Sequence, residues 1–258
     1  MKIVVYHQLN SMHIGNGSSL GVVDLPIYRE AHTDFPTIPS SAIKGVLRAD
    51  FEPKDLVDTL FGNQDKEGDI IFTDAKIVLF PIKSLKGVFA WITCPMVLKR
   101  FQRDTGKSLN LNLELSDDKA LVSSNDVVLN KNVILEEFSF ESKLDESIKS
   151  LKTIFDNVDE NRIVILHDDV FRFFVKNYTE IVARISIDQE KGTAKSGALW
   201  YQELTPAESV YYGLLMSRTK NKDNLSKVED FISKIKIFQF GADETLGRGF
   251  AKLTLKEA

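Results

Sequence analysis

The stretch from residue 13 to 48, HIGNGSSLGVVDLPIYREAHTDFPTIPSSAIKGVLR, has the highest concentration of residues with special backbone or chemical properties in this sequence. It combines four glycines with several hydroxyl side chains, and one of its acids, Asp24, lies between the apolar residues Val23 and Leu25. Glycines permit tight backbone geometry that other residues resist. An acid in such a run is commonly a hydrogen-bonded structural group, but it is also a candidate for chemistry. We therefore expect this stretch to form the main functional surface.

The second half of the stretch predicts an extended segment followed by a helix. Its prolines push the preceding residues out of the helical region. Ser40 or Ser41 is the expected N-cap, and apolar residues then recur at helical spacing. Lys44 and Arg48 are four residues apart and share the opposite face. Free amides at a helix N-terminus beside two cations suit a phosphate, whereas a solvated basic face explains the same residues equally well.

Composition indicates a globular chain with no overall basic character. The sequence has 258 residues, of which 43% are hydrophobic and 27% charged, with a formal net charge of −4. This hydrophobic content is enough for a sizeable core. Any binding of nucleic acid must therefore come from local basic clusters rather than from the net charge.

The cysteine content and the hydropathy pattern indicate a cytoplasmic protein without membrane contact. Cys94 is the single cysteine, so no internal disulfide is possible and a zinc site lacks partners. A buried structural thiol is the favoured interpretation. The N-terminus alternates like a strand and has no secretory leader pattern. No apolar run approaches the roughly 20 residues that a membrane span needs.

Hydrophobic periodicity predicts a mixture of strands and helices along the whole chain. The predicted strands are residues 2–9, 70–79, 88–92, 133–140, 162–166, 181–187, 198–203, 209–217 and 250–255. The predicted helices begin near residue 40 and cover 56–61, 96–104, 144–158 and 224–236, with another after 169. Residues 105–132 are poor in apolar side chains and are expected to form an inserted or mobile segment.

The strands at 181–187 and 198–203 predict a hairpin around a turn at 188–192. Its polar and aromatic residues are Lys191, Thr193, Lys195, Trp200 and Tyr201. Cations interleaved with aromatic rings suit single-stranded nucleic acid, because bases stack on the rings while cations neutralise phosphates. An ordinary exposed hairpin is the alternative.

Familiar cofactor motifs do not match this sequence. The run 167–169, His-Asp-Asp, has no known metal-ligand spacing, so a strand end followed by a helix N-cap is favoured. Gly241, Gly247 and Gly249 have neither Walker A nor Rossmann spacing. A nucleotide hydrolase or a dehydrogenase is therefore poorly supported.

Four blocks in a fixed order carry a resemblance to a known family. They are the stretch 13–48, the stretch LFGNQDKEGDIIFTDAKIVLFPIKSLKGVFAWITCPMVLKR at 60–100, the stretch IDQEKGTAKSGALWYQE at 187–203, and the stretch GADETLGRGF at 241–250. Together they resemble the RAMP superfamily of CRISPR proteins, and more narrowly the repeated backbone subunit of the type III-B (Cmr) RNA-guided complex.

The resemblance implies a fold and a set of partners. The expected fold is α+β, a single domain at 1–258 with a ferredoxin-like, RRM-type βαββαβ core, an insertion at about 105–132 and a thumb-like hairpin at about 185–203. Copies of the chain would stack head to tail along a guide RNA, which pairs with a single-stranded target RNA. Other subunits of the Cmr complex would end the filament.

The resemblance also implies RNA-contacting residues in three places. The motif matching 40–48 would hold the guide backbone. The segment 241–249, here called the Gly-rich loop, would lie near the same RNA. The hairpin would wedge into the guide–target duplex. The expected RNA-binding residues are Ser40, Ser41, Lys44, Arg48, Lys191, Thr193, Lys195, Trp200, Gly247, Arg248 and Gly249.

Asp24 matches the family's cleavage residue, so the resemblance implies an endoribonuclease that is active in the assembled complex. RNA supplies its own nucleophile, the 2′-OH, and Asp24 would either bind a divalent cation such as Mg²⁺ or accept the 2′-OH proton. His13 and Glu203 are candidate auxiliary catalytic groups. The alternatives are a non-catalytic guide-RNA scaffold and a stand-alone guide-processing endoribonuclease.

Overall fold

The computed structural model describes residues 1–111, 113–188 and 190–258. Its strands are β1 (Lys2–Gln8), β2 (Thr37–Ile38), β3 (Ile70–Phe72), β4 (Ala75–Ser84), β5 (Val88–Thr93), β6 (Lys119–Val122), β7 (Val128–Leu129), β8 (Asn132–Leu135), β9 (Phe138–Leu144), β10 (Ile163–Leu166), β11 (Glu180–Asp188), β12 (Thr193–Leu204), β13 (Val210–Ser217), β14 (Ile237–Gln239) and β15 (Phe250–Glu257). Its α-helices are α1 (Ser40–Asp50), α2 (Val57–Phe61), α3 (Pro95–Thr105), α4 (Asp168–Asn177) and α5 (Lys222–Ile235).

The first sheet is antiparallel and buried on both faces. Its strands follow the order β14-β15-β1-β13, and β13 then pairs with both β3 and β4. Tyr211 and Tyr212 are neighbours on β13 and point to opposite faces, yet each is 1% exposed. Helix α3 covers one of these faces, with the ring centroids of Phe101 and Tyr212 4.9 Å apart.

The second sheet is a closed ring that shares β4 with the first. It runs β4-β5-β10-β6-β9-β8, and β8 pairs back with β4 through Ser84 and Leu135. The predicted strand at 133–140 is in fact the β8–β9 hairpin, with Glu136 at a positive φ of 50° in its turn. The predicted strand at 70–79 is also two strands, interrupted at 73–74.

The segment 105–132 differs in part from its prediction. Residues 119–122 form β6, which lies between β10 and β9 inside the closed sheet. Four strand residues are too few to display alternation, so periodicity could not reveal them. Asn112, within this segment, lies outside the described residues.

Of the other predicted elements, the hairpin is confirmed with longer strands and one helix is shorter than expected. The hairpin of β11 and β12 pairs from Glu180 opposite Leu204 to Asp188 opposite Thr193. Gln189, in its predicted turn, is not among the described residues. The helix predicted at 144–158 is a 3₁₀ helix over Glu146–Thr153. Within the described ranges, no helix is long and apolar enough to cross a membrane.

A buried carboxylate, Asp69, ties β3 to the end of β13 and the start of α5. It is 5% exposed and accepts hydrogen bonds from the hydroxyls of Ser217 and Thr219, the Thr219 amide and the Asn224 side chain. Burial opposes ionisation of Asp69, but the donors from Thr219, Asn224 and Ser217 outweigh it and lower the pKa to about 2. The ionised form is therefore the stabilising one.

We expect Asp69 to make the free energy of unfolding depend on pH. Because its folded pKa is depressed, the contribution is complete above the unfolded pKa near 4 and is lost as the pH falls through about 2. After allowance for solvent screening, its size is about 1 to 2 kcal/mol. Urea unfolding between pH 5 and 2 measures it, since Asp69→Asn should flatten this part of the profile. If Asp69→Asn and wild type show the same dependence of unfolding free energy on pH, the assignment is contradicted.

Candidate functional site

The loop that carries Asp24 is fixed along strand β12 of the hairpin. The Leu25 amide donates to the Tyr201 carbonyl at 3.0 Å, and the Glu203 amide donates to the Leu25 carbonyl at 3.0 Å. Leu25 forms a parallel bridge with Gln202. The preceding loop residues therefore run beside the part of β12 that leads towards the hairpin tip.

Asp24 is half-buried, and β12 holds one of its carboxylate oxygens. Its Oδ2 accepts the Tyr201 amide at 2.7 Å, and its carbonyl accepts the Ser19 amide at 2.8 Å. In the described part of the chain, Oδ1 has no hydrogen-bond donor. The carboxylate is thus oriented by the backbone and keeps one oxygen available for a ligand.

Apolar side chains are exposed on this loop and on one face of the hairpin. Leu20 is fully exposed and Val22 is 92% exposed. Along the hairpin, alternate residues of each strand add further exposed apolar groups on the same face: Ile181, Ile185, Leu199 and Tyr201. Exposed apolar groups grouped in this way indicate a surface that contacts another macromolecule.

His13 is buried between the hairpin and the Gly-rich loop. Its Nδ1 lies 2.6 Å from the carbonyl oxygen of Glu203, which can only accept, so the tautomer assigned from this contact carries hydrogen on Nδ1. The His13 carbonyl accepts the Ala242 amide at 2.9 Å. A Cβ on Gly15 would lie 2.7 Å from Nε2 of His13, and one on Gly241 would lie 2.2 Å from its carbonyl oxygen. Glycines allow these close contacts.

Glu203 is 6% exposed, and internal donors occupy both of its carboxylate oxygens. Oε1 accepts from Thr179 at 2.7 Å and forms an ion pair with Arg29, while Oε2 accepts the Ile27 amide at 3.0 Å. Arg29 also donates to the carbonyl of Val175 at 2.9 Å in helix α4. These contacts favour a positioning role for Glu203, and contact of its carboxylate with a substrate stays a prediction.

The start of helix α1 differs from its prediction. Neither Ser40 nor Ser41 caps the helix with its side chain, since α1 begins at Ser40 with Pro39 in the N-cap position. Instead Asp74, in the break between β3 and β4, accepts the Ser40 amide at 2.7 Å. The N-terminal amides are therefore partly satisfied by an acid of the chain, which weakens the case for a phosphate site built on them alone.

Lys44 and Arg48 have different surroundings on α1. Arg48 donates to the Gly62 carbonyl and lies 2.9 Å from Asp58, so its guanidinium is committed to holding α2. Lys44 has no ion-pair partner within the described ranges. It lines an open cleft of about 580 Å³ together with other polar or cationic residues, including Ser40, Ser41, Lys66 and Arg218. Lys44 is thus the better candidate for an RNA phosphate.

The remaining predicted RNA contacts lie on the hairpin and the Gly-rich loop. Lys191, Thr193 and Lys195 are exposed near the hairpin tip, whereas Trp200 is half-buried nearer its base. Gly249 has a φ of 81°, and a Cβ there would lie 2.0 Å from the Phe240 carbonyl oxygen. Gly249 is therefore required for packing.

Gly247 and Arg248 lie on the open side of the same loop. A Cβ on Gly247 would meet nothing within 4 Å, although its φ of 70° favours glycine. Arg248 is half-buried, and its Nη1 lies 3.7 Å from Oδ2 of Asp243 without a hydrogen-bond partner. Nη1 is buried beside Asp243, so a contact of Arg248 with RNA would have to come from its other guanidinium nitrogens and stays a prediction. The sequence interpretation missed Asp243 and its hairpin partners, because only their contacts in the fold bring them together.

The structural interpretations of His167 and Cys94 are confirmed. His167 is the N-cap of α4 and accepts the Asp169 amide at 3.3 Å. Cys94 is buried, and burial raises the pKa of its thiol. The described residues contain no group of three or more His, Cys, Asp or Glu side chains that could hold a metal ion.

Comparison with known proteins identifies the family. The model of the RAMP superfamily matches residues 9–252. The CRISPR system Cmr endoribonuclease Cmr4 of Pyrococcus furiosus is 39% identical, over 99% of this chain and 95% of that protein. The crystal structure of oligomeric Cmr4 from Pyrococcus furiosus has a TM-score of 0.81 at 34% identity, covering 99% of this chain and 98% of that one.

A cryo-EM structure of the Type III-B Cmr-beta bound to cognate target RNA contains a chain with the same fold. The TM-score is 0.83 at 21% identity, and the match covers 98% of this chain and 96% of that one. This likeness concerns the mixed α/β fold. The family model and the 39% identical relative, each matching most of the sequence, show that this chain belongs to the RAMP superfamily.

Proposed function

We propose that this chain is the repeated backbone subunit of a type III-B CRISPR effector complex in the cytoplasm. In this role it binds guide RNA and cleaves complementary single-stranded target RNA at regular intervals. Its 39% identical relative is named an endoribonuclease, and a solved relative of 34% identity is oligomeric. The observation that carries the proposal is Asp24, a half-buried carboxylate fixed to the hairpin with one oxygen free of described donors.

The strand order supports an RRM-type core within this fold. The elements β1, α1, β4, β13, α5 and β15 follow one another in the βαββαβ order. In the sheet they lie as β15-β1-β13-β4 with antiparallel neighbours, so the first strand lies between the last and the third. The closed six-stranded sheet would then be an elaboration attached through β4.

In the proposed reaction, the 2′-oxygen of the target bonds to the adjacent phosphorus to give a 2′,3′-cyclic phosphate, while the bond from phosphorus to the 5′-oxygen of the next nucleotide breaks and that oxygen takes a proton from water. Asp24 would either accept the 2′-OH proton or hold a divalent cation beside the phosphate, and the Tyr201 amide, which orients its carboxylate, supports either role. The hairpin would hold the RNA in one conformation. The resulting alignment of the 2′-OH with the phosphorus would supply part of the rate enhancement. His13, at 5% exposed, would act by holding the Gly-rich loop against the hairpin.

The Asp24 carboxylate suits a divalent cation such as Mg²⁺ only together with ligands from the RNA phosphate. Mg²⁺ is often held by one or two carboxylates together with substrate phosphates and water. Asp24 would supply one ligand oxygen and the RNA phosphate the others, since the described residues offer no larger acidic cluster there. When bound, the cation would neutralise charge on the phosphate.

A sulfur substitution at the scissile phosphate separates the two roles of Asp24. If Asp24 holds Mg²⁺, a non-bridging sulfur should slow cleavage in Mg²⁺ and Mn²⁺ should restore it, because the softer ion accepts sulfur better. If Asp24 is only a general base, the sulfur effect should be equal in the two metals, and EDTA should leave cleavage intact. The measurement is single-turnover cleavage by the assembled complex.

We expect Lys44→Ala to weaken guide binding and to reduce its dependence on salt. Loss of one phosphate contact should lower the slope of log affinity against log salt by about 0.7 to 1. Lys143→Ala, an exposed lysine of β9, is the matched control and should leave the slope unchanged. Guide-RNA titrations at several salt concentrations measure it. Equal slopes for wild type and Lys44→Ala would remove Lys44 from the phosphate contacts.

The function as a whole is tested by sequencing the RNA that co-purifies with the native complex and mapping cuts on a complementary strand. Evenly spaced cuts support one active site in each stacked copy. Binding without cuts would indicate a non-catalytic scaffold. Cleavage of repeat RNA by the isolated chain would indicate a guide-processing endoribonuclease.

A further inference from the structure

A largely buried polar cluster of one buried and two half-buried side chains joins the Gly-rich loop to the base of the hairpin. At its centre is Asp243, which adopts a left-handed conformation with φ of 67°. Its Oδ1 lies 2.7 Å from Nη1 of Arg184 on β11, and its Oδ2 accepts Nε2 of Gln202 on β12 at 3.0 Å. Arg184 also donates to the side-chain oxygen of Gln202. One carboxylate therefore holds both strands of the hairpin.

The same cluster adjoins the strand that holds Asp24. Gln202 is 2% exposed and directly follows Tyr201, whose amide orients the Asp24 carboxylate at 2.7 Å. Gln202 also pairs with Leu25, the residue after Asp24. A shift of Gln202 would therefore move both attachments of the Asp24 loop.

The charges of the cluster place a second guanidinium, that of Arg248, beside Asp243. Burial opposes ionisation of Asp243, but the hydrogen bond and charge of Arg184 and the hydrogen bond of Gln202 keep its pKa below the ordinary value. These partners occupy both carboxylate oxygens, and the buried Nη1 of Arg248 lies 3.7 Å from Oδ2 without a hydrogen bond. Arg248 is thus held near the cluster by charge, and its Nε and Nη2, for which no hydrogen bond is described, are the donors that suit a phosphate oxygen.

From these contacts we infer that Arg184, Gln202 and Asp243 are positioning residues that couple the Gly-rich loop, where Arg248 contacts an RNA phosphate, to the Asp24 loop. The inference rests on the proposed function. The coupling fixes which phosphodiester is presented to Asp24, so loss of the cluster should affect the place of the cut as well as its rate.

The test compares Arg184→Ala with wild type in the assembled complex loaded with guide. Cleavage of bound target should slow by about 10- to 100-fold, the range expected when a reacting group is slightly misplaced. Mapped at nucleotide resolution, the cuts should spread to neighbouring linkages while target binding is retained. Arg172→Ala, which breaks the 2.6 Å Arg172–Asp34 ion pair elsewhere on the surface, is the control and should change neither rate nor position.

Two conservative variants keep the test decisive if Arg184→Ala fails to fold. Arg184→Lys keeps the charge and should restore part of the rate, and Asp243→Asn keeps the shape of the cluster and should broaden the cut positions. Wild-type rate and wild-type cut positions in a folded Arg184→Ala or in Asp243→Asn would overturn the inference. If wild type does not cut, or Asp24→Ala cuts normally, the proposed function fails instead.

Discussion

Replacement of Asp24 by alanine should abolish target cleavage by the assembled complex while guide and target binding stay near wild type. Loss of a group that transfers a proton or holds a catalytic cation is expected to slow the reaction at least about 100-fold. Binding should persist because the Asp24 side chain makes one described contact, with the Tyr201 amide, and the loop keeps its backbone bonds to β12. Single-turnover cleavage and gel-shift titrations on the same preparation measure the two properties.

Two further variants separate chemistry from loop structure. Asp24→Asn keeps an acceptor for the Tyr201 amide but loses the charge, and it should be as inactive as Asp24→Ala. Asp159→Ala removes another carboxylate that accepts a backbone amide, at 3.0 Å from Asn161, and should cut normally. Wild-type cleavage by Asp24→Ala would end the catalytic assignment.

Glu203→Ala should produce the largest loss of stability among the substitutions considered. The Glu203 carboxylate and the Arg29 guanidinium are both mostly buried, and removal of the acid leaves an uncompensated cation under the hairpin. Breaking a buried ion pair in this way costs about 3 to 5 kcal/mol. The free energy of unfolding measured in urea should fall accordingly, and the Ile27 amide would lose its acceptor as well.

A double-mutant cycle distinguishes this structural role from catalysis. Arg29→Ala combined with Glu203→Ala should be less destabilising than the sum of the single changes, because the uncompensated charge is removed. At a temperature where it remains folded, Glu203→Gln should retain measurable cleavage. A folded Glu203→Gln complex that is as inactive as Asp24→Ala would instead place Glu203 in the chemistry.

The sequence predicted the elements whose signal is local. Strands β1, β5 and β13, helix α3 and the hairpin follow from alternation, helical spacing and proline at a helix start. The closed sheet was missed because its closure depends on a single pairing of Ser84 with Leu135 and on the four-residue strand β6. Neither feature leaves a periodic pattern in the chain.

The candidate site shows the same division between local and distant signals. The loop of Asp24 stands out through its glycines and its isolated acid. The contacts that decide the roles of its neighbours join residues far apart: Ser40 and Asp74 are separated by 34 positions, Arg184 and Asp243 by 59, and Arg29 and Glu203 by 174. Local sequence patterns do not reveal pairs so far apart, so the Ser40 amide looked more available for phosphate than it is.

Strand β4 belongs to both sheets and joins them along one continuous backbone. Its first residues pair with β13 and its last with β5, so the same backbone transmits force between both sheets. In a stack of copies pulled or bent along its length, the load on one sheet would pass to the other through this strand rather than through a hinge. Each copy would then deform as a stiff unit, and bending of the assembly would be confined to the joints between neighbours.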